Sequence, residues 1–449
     1  MDIGGSVKIA RLILDDYKKR GTRKTNHFES FEYFGLKIIV DTIKRANGYT
    51  VGYTSMKTIN EYDVVLVSLT SVMDVYNLVY TFSSRGLEAE DVKPAIVVGG
   101  AGVINIKTYV EYGDFFVWGR GEETVPKLIE YIEKGIPHNC NNVFERSKNT
   151  FKEKFHIGQT EKIYSNEVDN MRENMMGCPN KCQFCQYTFV RKYIENNKKD
   201  YEDTNYIKGS EQTFKDLEIT DGQVYVSAID GFTERLRKIF LKPITDVDIT
   251  EKLQKAQKLN IDSRVSLKLY NICGYPTENK KSYEKFIKLI QDADYKKQMT
   301  PLSLHILITP FSAEPLTPAQ YLPMDLETNY RKYFQKKYVG KNGYVWKGNN
   351  ITLYFMKYIN SNWALFQRAL INRGGTKDSE IVKAIVNNKT FDNLSVKEKM
   401  YNIKRQVDIE KFSKQYKIDE SNEWDYLESY MPNEKIDTMA NNLHKKLGI

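Results

Sequence analysis

Three of the five cysteines fall within eight residues, as Cys178, Cys182 and Cys185 in MGCPNKCQFCQY. A C-x3-C-x2-C spacing puts three thiols on one short loop, so the fold has to hold that loop still against other parts of the chain. Structural zinc takes four protein ligands, and the next cysteine or histidine, Cys273, lies far downstream. Three thiolates suit three irons of a [4Fe–4S] cluster and leave the fourth iron open and reactive. The spacing therefore points to an iron–sulfur centre, with zinc or idle surface thiols as the competing readings. Five unevenly placed cysteines do not make a secreted disulfide framework.

Around this loop the chain alternates strand-like and helix-like segments. At roughly 150 residues per domain, 449 residues predict two or three domains. Val7–Leu14, Tyr49–Tyr53, Val64–Leu69, Ala95–Val98 and Phe115–Trp118 read as strands. Phe28–Ala46, Val72–Ser84 and Glu123–Glu133 carry helical periodicity between them. Such alternation predicts an α/β fold with a doubly wound, Rossmann-like parallel sheet over residues 1–135. Ligands then belong at the carboxyl ends of strands, where Gly99-Gly100 and Gly119-Arg120-Gly121-Glu122 follow apolar runs. Residues 136–170 lose the periodicity and read as a linker, in which His138 and Cys140 are expected to be incidental. A second α/β region spans 171–325, with strands at Gln223–Ser227, Ser266–Ile272 and Leu302–Ile308 and helices at Ile249–Lys258 and Ser282–Ala293. Residues 326–449 read as mostly helical, with one strand at Ile351–Phe355.

With Phe184 directly before its last cysteine, the cysteine motif resembles the signature of the radical S-adenosylmethionine (SAM) superfamily. The resemblance implies a partial (β/α) barrel over 171–325 and a cluster whose open iron SAM chelates. One-electron cleavage of the S–C5′ bond then gives a 5′-deoxyadenosyl radical that abstracts hydrogen from substrate, and a reductant protein such as flavodoxin or ferredoxin is implied. Leu267–Asn279 is similar to the family's adenosine-contacting turn, which implies cofactor contacts by Gly274 and Pro276. Ser227–Lys238 resembles the polar strand end that holds the ribose and amino-acid parts of SAM. Ser227, Asp230, Arg235 and Lys268 are polar positions suited to hydroxyls and charges. The interval from Cys185 to the Gln223 strand is short for the family, so the barrel is expected to be shortened. Asp230 then belongs to either the amino-group site or the ribose site.

His305–Met324 resembles the last barrel strand and loop of the subgroup with an N-terminal cobalamin-binding-type domain. Val64–Val72, Ile96–Gly102 and Trp118–Ile132 match that domain. In the family these turns line the corrin face and its tail pocket, which implies cobalamin contacts at Ser68, Thr70, Gly99, Gly100, Gly119, Gly121 and Glu122. The D-x-H-x-x-G motif that supplies a cobalt-ligating histidine is absent, and His27 lacks its context. The function implied is cobalamin-dependent methylation of an unactivated carbon. A radical SAM enzyme of another reaction type, with a corrin-free domain, is the alternative. A non-catalytic iron–sulfur or nucleic-acid-binding module stands further off.

The 67 basic and 58 acidic residues give a mild +9, as a lysine-rich solvated surface does, and leave a small molecule, peptide or nucleic acid open as substrate. Tyr330–Tyr344 mixes tyrosine with lysine and reads as an amphipathic helix with its tyrosines packed inward. Trp363 to Gly375 resembles a segment that follows the barrel in the same subgroup and is expected to pack in the core, as is Cys273. The first residues carry no signal-peptide pattern and no apolar run reaches membrane-span length, so a cytoplasmic protein without membrane association is expected.

Overall fold

The computed structural model describes residues 7–18, 21–22, 34–164, 166, 168, 173, 175–195, 224–259, 265–294, 301–340, 343, 345–355 and 361–449. Its first sheet has six strands: β1 (Ile9–Leu12), β2 (Val51–Thr54), β3 (Val64–Ser68), β4 (Ala95–Gly99), β5 (Phe115–Val117) and β6 (Val143–Glu145). Their spatial order is β2-β1-β3-β4-β5-β6, and the first five run parallel. This is the doubly wound order in which the chain reverses direction beside β1. Helices α1 (Phe34–Asn47) and α3 (Thr124–Lys134) cover one face, enclosing Ile9, Val64, Leu66, Val97 and Val117. On the other face Val65, Val67, Val98 and Phe116 meet Val75, Leu78, Val79 and Phe82 of α2 (Asp74–Ser83). Burial on both faces is why β3 and β4 read as unbroken apolar runs rather than alternating ones.

Within the stretch read as a linker, β6 adds an antiparallel edge to this sheet, with Phe144 opposite Phe116. Phe155–His156 then pairs in parallel with Leu427–Glu428, which brings the end of the chain back beside the first sheet. Short polar connections hid a strand of only three residues.

The second sheet contains β7 (Val224–Ala228), β8 (Ser266–Cys273), β9 (Leu302–Pro310), β10 (Trp346–Lys347) and β11 (Ile351–Phe355). Its order is β7-β8-β9-β11-β10, parallel except for the β10–β11 hairpin pair. Leu267, Leu269, Leu304, Ile306 and Leu353 pack under α4 (Asp246–Leu259), α5 (Lys280–Asp292) and α6 (Tyr330–Tyr338). The opposite face is open: Val226 is 52% exposed and Tyr270 44%. A parallel sheet with helices on one side and an open face on the other is a partial (β/α) barrel wall. The tyrosine–lysine helix α6 packs Tyr330, Tyr333, Phe334 and Tyr338 into this core, as its amphipathic pattern predicts.

The C-terminal region is mostly helical. Its helix α7 (Asn362–Arg373) lies against the α2 side of the first sheet. Tyr76 donates its hydroxyl proton to the Gln367 carbonyl at 2.8 Å. Asn105 donates through Nδ2 to the Ile371, Asn372 and Gly374 carbonyls. Arg373, fully buried, donates to four main-chain carbonyls, those of Gln320, Leu322, Phe412 and Lys414. Trp363 and Phe366 are buried as expected. Among the described residues no helix is long and apolar enough to cross a membrane.

Candidate active site

The cysteine loop is pinned from three directions. Gly177 enters it at φ +71°, where a Cβ would lie 2.6 Å from the Lys192 carbonyl oxygen, so a side chain does not fit. The Cys185 N–H donates to the Cys182 carbonyl at 2.9 Å, closing a turn between two of the three thiols. Gln183 N–H donates to the Phe240 carbonyl, and the Gln183 carbonyl accepts from Ala319 N–H after β9. Cys182 is buried, while Cys178 and Cys185 are half-buried. Burial pushes the Cys182 thiol up to about 12; Lys242 pulls it down, while Cys185, Asp230 and Cys178 push it further up. Burial raises Cys185 as well, against the Thr188 and Tyr187 N–H groups that favour its thiolate. The three sulfurs therefore sense one another and repel as thiolates, and a positive centre among them removes that penalty. Among the described residues no three His, Cys, Asp or Glu side chains converge on a point that would hold a single metal ion.

Lys242 and Asp230 form the charged border of the loop. Their Nζ–Oδ2 distance is 2.7 Å, with both side chains nearly buried. Asp230 sits at φ +49°, a conformation aspartate and asparagine tolerate better than most residues, and its carbonyl accepts from Tyr275 Oη at 3.1 Å. Phe184 joins an aromatic wall, with ring centroids 6.1 Å from both Phe240 and Tyr275, and Tyr275 packs 4.3 Å from Phe240.

A cavity of about 380 Å³ opens beside Phe184 and Cys185. Lys18 and Met73 come from the first sheet's side, Ile272 and Thr309–Ser312 from strand ends, and Ala364, Leu365 and Arg368 from α7. It lies at the carboxyl ends of β8 and β9, where a parallel sheet presents its loops to ligands.

The predicted SAM contacts divide. Lys268 is half-buried on the open face, opposite Val226 on β7 and His305 on β9. His305 stacks on Tyr354 at 4.7 Å and 12°, and burial with the Lys268 charge lowers its basicity. Sequence reasoning missed that His305 flanks Lys268 and that Tyr354 flanks His305, because only strand register brings them together. Ser227 is 7% exposed and points into the helix-covered core, away from the open face, because Val224 and Val226 occupy the outward phase of β7. Arg235 is exposed on a short helix (Glu234–Ile239), while its neighbour Arg237 is buried and pairs with Asp246. Gly274, at φ +75°, donates its N–H to Glu278 Oε2 at 2.7 Å, and a Cβ there would lie 2.5 Å from Tyr330 Oη. Pro276 is half-buried in that turn. Glu278 was missed as a site residue although it ends the G-x-P-x-E segment. It is the acceptor that closes the turn, and burial pushes its carboxyl up to about 7.

All seven residues predicted at the first sheet's strand ends border one second cavity, of about 300 Å³. Gly35, Leu36, Ile38 and Ile39 of α1 form its far wall. Thr70 N–H and Oγ1 both donate to Asp74 Oδ2, at 2.9 and 2.7 Å, so that hydroxyl is held by the first residue of α2. Arg120 lies on the floor, 2.7 Å from Glu122 and bidentate to Glu173 at 2.5 and 2.7 Å. Burial raises Glu122 although Arg120 opposes it, and Glu122 Oε2 has no hydrogen-bond partner. Gly100 and Gly119 have positive φ, and a Cβ on either would press into backbone, at Leu69 and Gly158 respectively. Chain-on-chain approach requires these two glycines on the side where a Cβ would lie, while both still border the cavity. Gly99 is different: a Cβ would meet only ordinary contacts, the nearest 3.8 Å away.

Cys140 is engaged locally, donating to the His138 carbonyl at 3.0 Å, and Cys273 is fully buried in the second core. His27 lies outside the described residues.

Residues 37–164 match the family model described as radical SAM proteins, N-terminal. The match covers less than a third of the chain. The cavity bordered by Ser68, Gly99 and Glu122 lies largely within the matched residues, and the cysteine loop follows them in the chain. No curated protein matches the chain significantly. Among solved structures the chain is similar to TsrM from Kitasatospora setae, a radical SAM methyltransferase bound to tryptophan substrate and a SAM analogue. That match has 12% identity and TM-score 0.30, covering 67% of this chain and 59% of TsrM. It is also similar to OxsB, a cobalamin-dependent SAM radical enzyme bound to aqua-cobalamin and SAM. Here identity is 11% and TM-score 0.39, covering 89% of this chain and 71% of OxsB.

Proposed function

We propose that this chain is a radical SAM enzyme that binds a [4Fe–4S] cluster on Cys178, Cys182 and Cys185, cleaves SAM beside it, and methylates an unactivated substrate carbon with cobalamin as methyl carrier. The observation that carries the reading is a single pinned loop carrying three cysteines, opening at Cys185 onto a cavity of about 380 Å³. The donor set fits the cluster: three sulfurs share the loop, while Cys140 and Cys273 are engaged elsewhere. For cobalamin the fit is narrower. A cavity of about 300 Å³ with apolar walls and an unpartnered Glu122 oxygen takes a base-sized tail, not a whole corrin ring.

When bound, the cluster would supply the electron for SAM cleavage, and cobalamin a methyl group. The chain's own residues do the rest. The three cysteines fix the cluster, and Lys242 with Asp230 holds its border in place. Lys268 and His305 offer a cation and an imidazole along the open face, suited to the hydroxyls of SAM. Phe184, Tyr275 and Phe311 keep water from the buried side. Ser68, Gly99, Gly121 and Glu122 would hold the tail of cobalamin. We assign these roles to a cobalamin-type domain over 1–135, a linker over 136–170, a SAM barrel over 171–325 and a helical region over 326–449. The proposed setting is the cytoplasm, with a flavodoxin- or ferredoxin-type electron donor.

Anaerobic reconstitution with iron and sulfide tests the core of this reading. Four irons per chain, and 5′-deoxyadenosine from SAM plus reductant, are expected. Alanine at Cys178, Cys182 or Cys185 abolishes both, while C140S and C273S keep their iron. Bound zinc in place of iron overturns the assignment. A cobalamin titration with no uptake removes methyl transfer and leaves a radical SAM enzyme of another reaction type.

A further inference from the structure

The polar wall of the cavity beside Cys185 comes from the C-terminal region and from the segment after β9. Glu314 and Arg368 face each other across it, 3.5 Å apart, a loose pair in which Arg368 remains 38% exposed and Glu314 14%. Asn372, fully buried, donates from Nδ2 to the other Glu314 oxygen at 2.7 Å and so fixes the carboxylate's direction. Ser312 Oγ and Asn372 Oδ1 are buried without a hydrogen-bond partner. A second cation, Lys18, reaches the cavity from the first sheet's side. A loose acid–base pair beside unsatisfied polar atoms is costly as a purely structural device, because each buried group lacks the partner it lost on leaving water. A ligand carrying both charges supplies both partners.

We infer that this cavity binds a small zwitterion, a free α-amino acid, as the enzyme's substrate. Its carboxylate pairs with Arg368, aided by Lys18, and its ammonium pairs with Glu314, leaving the side chain directed into the cavity toward Cys185. A volume of about 380 Å³ accommodates a metabolite of this size and excludes a folded macromolecule. The guanidinium suits a carboxylate through two parallel hydrogen bonds, and the orphaned Ser312 hydroxyl is a further donor on the same wall. The inference rests on the reading of Cys185 as a cluster ligand, since that places the bound amino acid beside the reactive centre. It also gives the C-terminal region a task, because α7 contributes Arg368 and Asn372.

The test uses the reconstituted protein saturated with SAM and held without reductant, so that SAM stays intact with its own amino-acid end already placed. The proteinogenic amino acids are screened by ligand-observed NMR, and the best binder is compared with its methyl ester and its N-acetyl form. Both blocked forms are expected to bind at least tenfold more weakly. R368Q is expected to abolish discrimination against the ester while keeping that against the acetyl form, and E314Q to do the reverse. Retained discrimination at the unaltered end shows that each variant is folded. Equal binding of free and blocked forms, no binding by any amino acid, or competition between the amino acid and SAM overturns the inference. Failure of the iron–sulfur reading is seen separately, as missing cluster absorbance in the same sample.

Discussion

Lys242 Nζ lies 2.7 Å from the Asp230 carboxylate, and the pair borders Cys182. Twelve residues and a short helix separate the two in sequence, and both side chains are nearly buried. Removing one partner of such a pair leaves an uncompensated charge, at a cost of about 3–5 kcal/mol. K242M is therefore expected to lose about that much stability and to retain less iron after reconstitution. D230N combined with K242M removes the orphaned charge, and asparagine tolerates the φ of +49° at that position. The double variant is expected to regain most of the stability but not the iron retention. Chemical denaturation and iron analysis of the three proteins check this. Equal stability of K242M and wild type overturns it.

Much of this architecture is legible in the sequence because both faces of the first sheet are buried. VVLVS and AIVVG are continuous apolar runs, and each becomes a central strand. The cysteine loop is equally plain, since its spacing is local. What the sequence does not carry is the phase of a strand with one open face. In QVYVS the valines look like core, yet Val224 is 57% exposed and Val226 52%, while Ser227 is buried at 7%. The core behind β7 is built with Tyr225 instead, so the polar residue chosen as a ligand contact faces the wrong way. Lys242 escaped notice, and Arg368 was read only as part of a segment packing in the core, for a different reason. Each reaches the site across a long chain separation that only the tertiary fold closes.

Glu278 makes stability depend on pH in a definite direction. Its carboxyl is raised from 4.5 to about 7 by burial, against hydrogen bonds from the Gly274 N–H and Tyr283 Oη. The folded state then binds a proton that the unfolded state has released. This contribution is fully present below the unfolded pKa and is lost as pH rises through about 7. E278Q keeps an oxygen acceptor for Gly274 and has no charge to bury. It is expected to be more stable than wild type at pH 8, by at most about 3 kcal/mol, with the difference shrinking toward pH 5. Melting temperatures across that range, with E278Q at or below wild type at pH 8, would falsify the assignment.

Two glycines separate conformational strain from steric exclusion. Gly119 and Gly135 share nearly the same backbone, with φ of +78° and +72°. A Cβ on Gly135, which caps α3, meets nothing within 4 Å, whereas one on Gly119 would collide with the Gly158 backbone. G135A should thus cost only the left-handed penalty, about 1–2 kcal/mol. G119A adds a clash that backbone cannot relieve, and is expected to cost clearly more and to loosen the parallel bridge between Gly119 and Gly158. Urea unfolding of both variants decides the matter; similar losses would mean that the Gly158 segment simply moves aside.

Arg120 ties the first sheet to the chain just ahead of the cysteine loop. Both its terminal nitrogens donate to Glu173, at 2.5 and 2.7 Å, and it also pairs with Glu122 at 2.7 Å. The guanidinium's planar fork makes the two parallel bonds to Glu173, which a lysine ammonium cannot reproduce. Arg120 and Glu173 are nearly buried, so little of the interaction is screened by solvent. A double-mutant cycle with R120A and E173A is expected to give a coupling energy of about 1–3 kcal/mol, within the range for contacting residues. R120K should recover less than half of it. The same variants should take up iron more slowly, because Glu173 also accepts from the Tyr164 N–H and so anchors the approach to the loop. A coupling energy near zero, with normal iron uptake in R120A, would mean that the loop is held by its contacts to Phe240 and Ala319 alone.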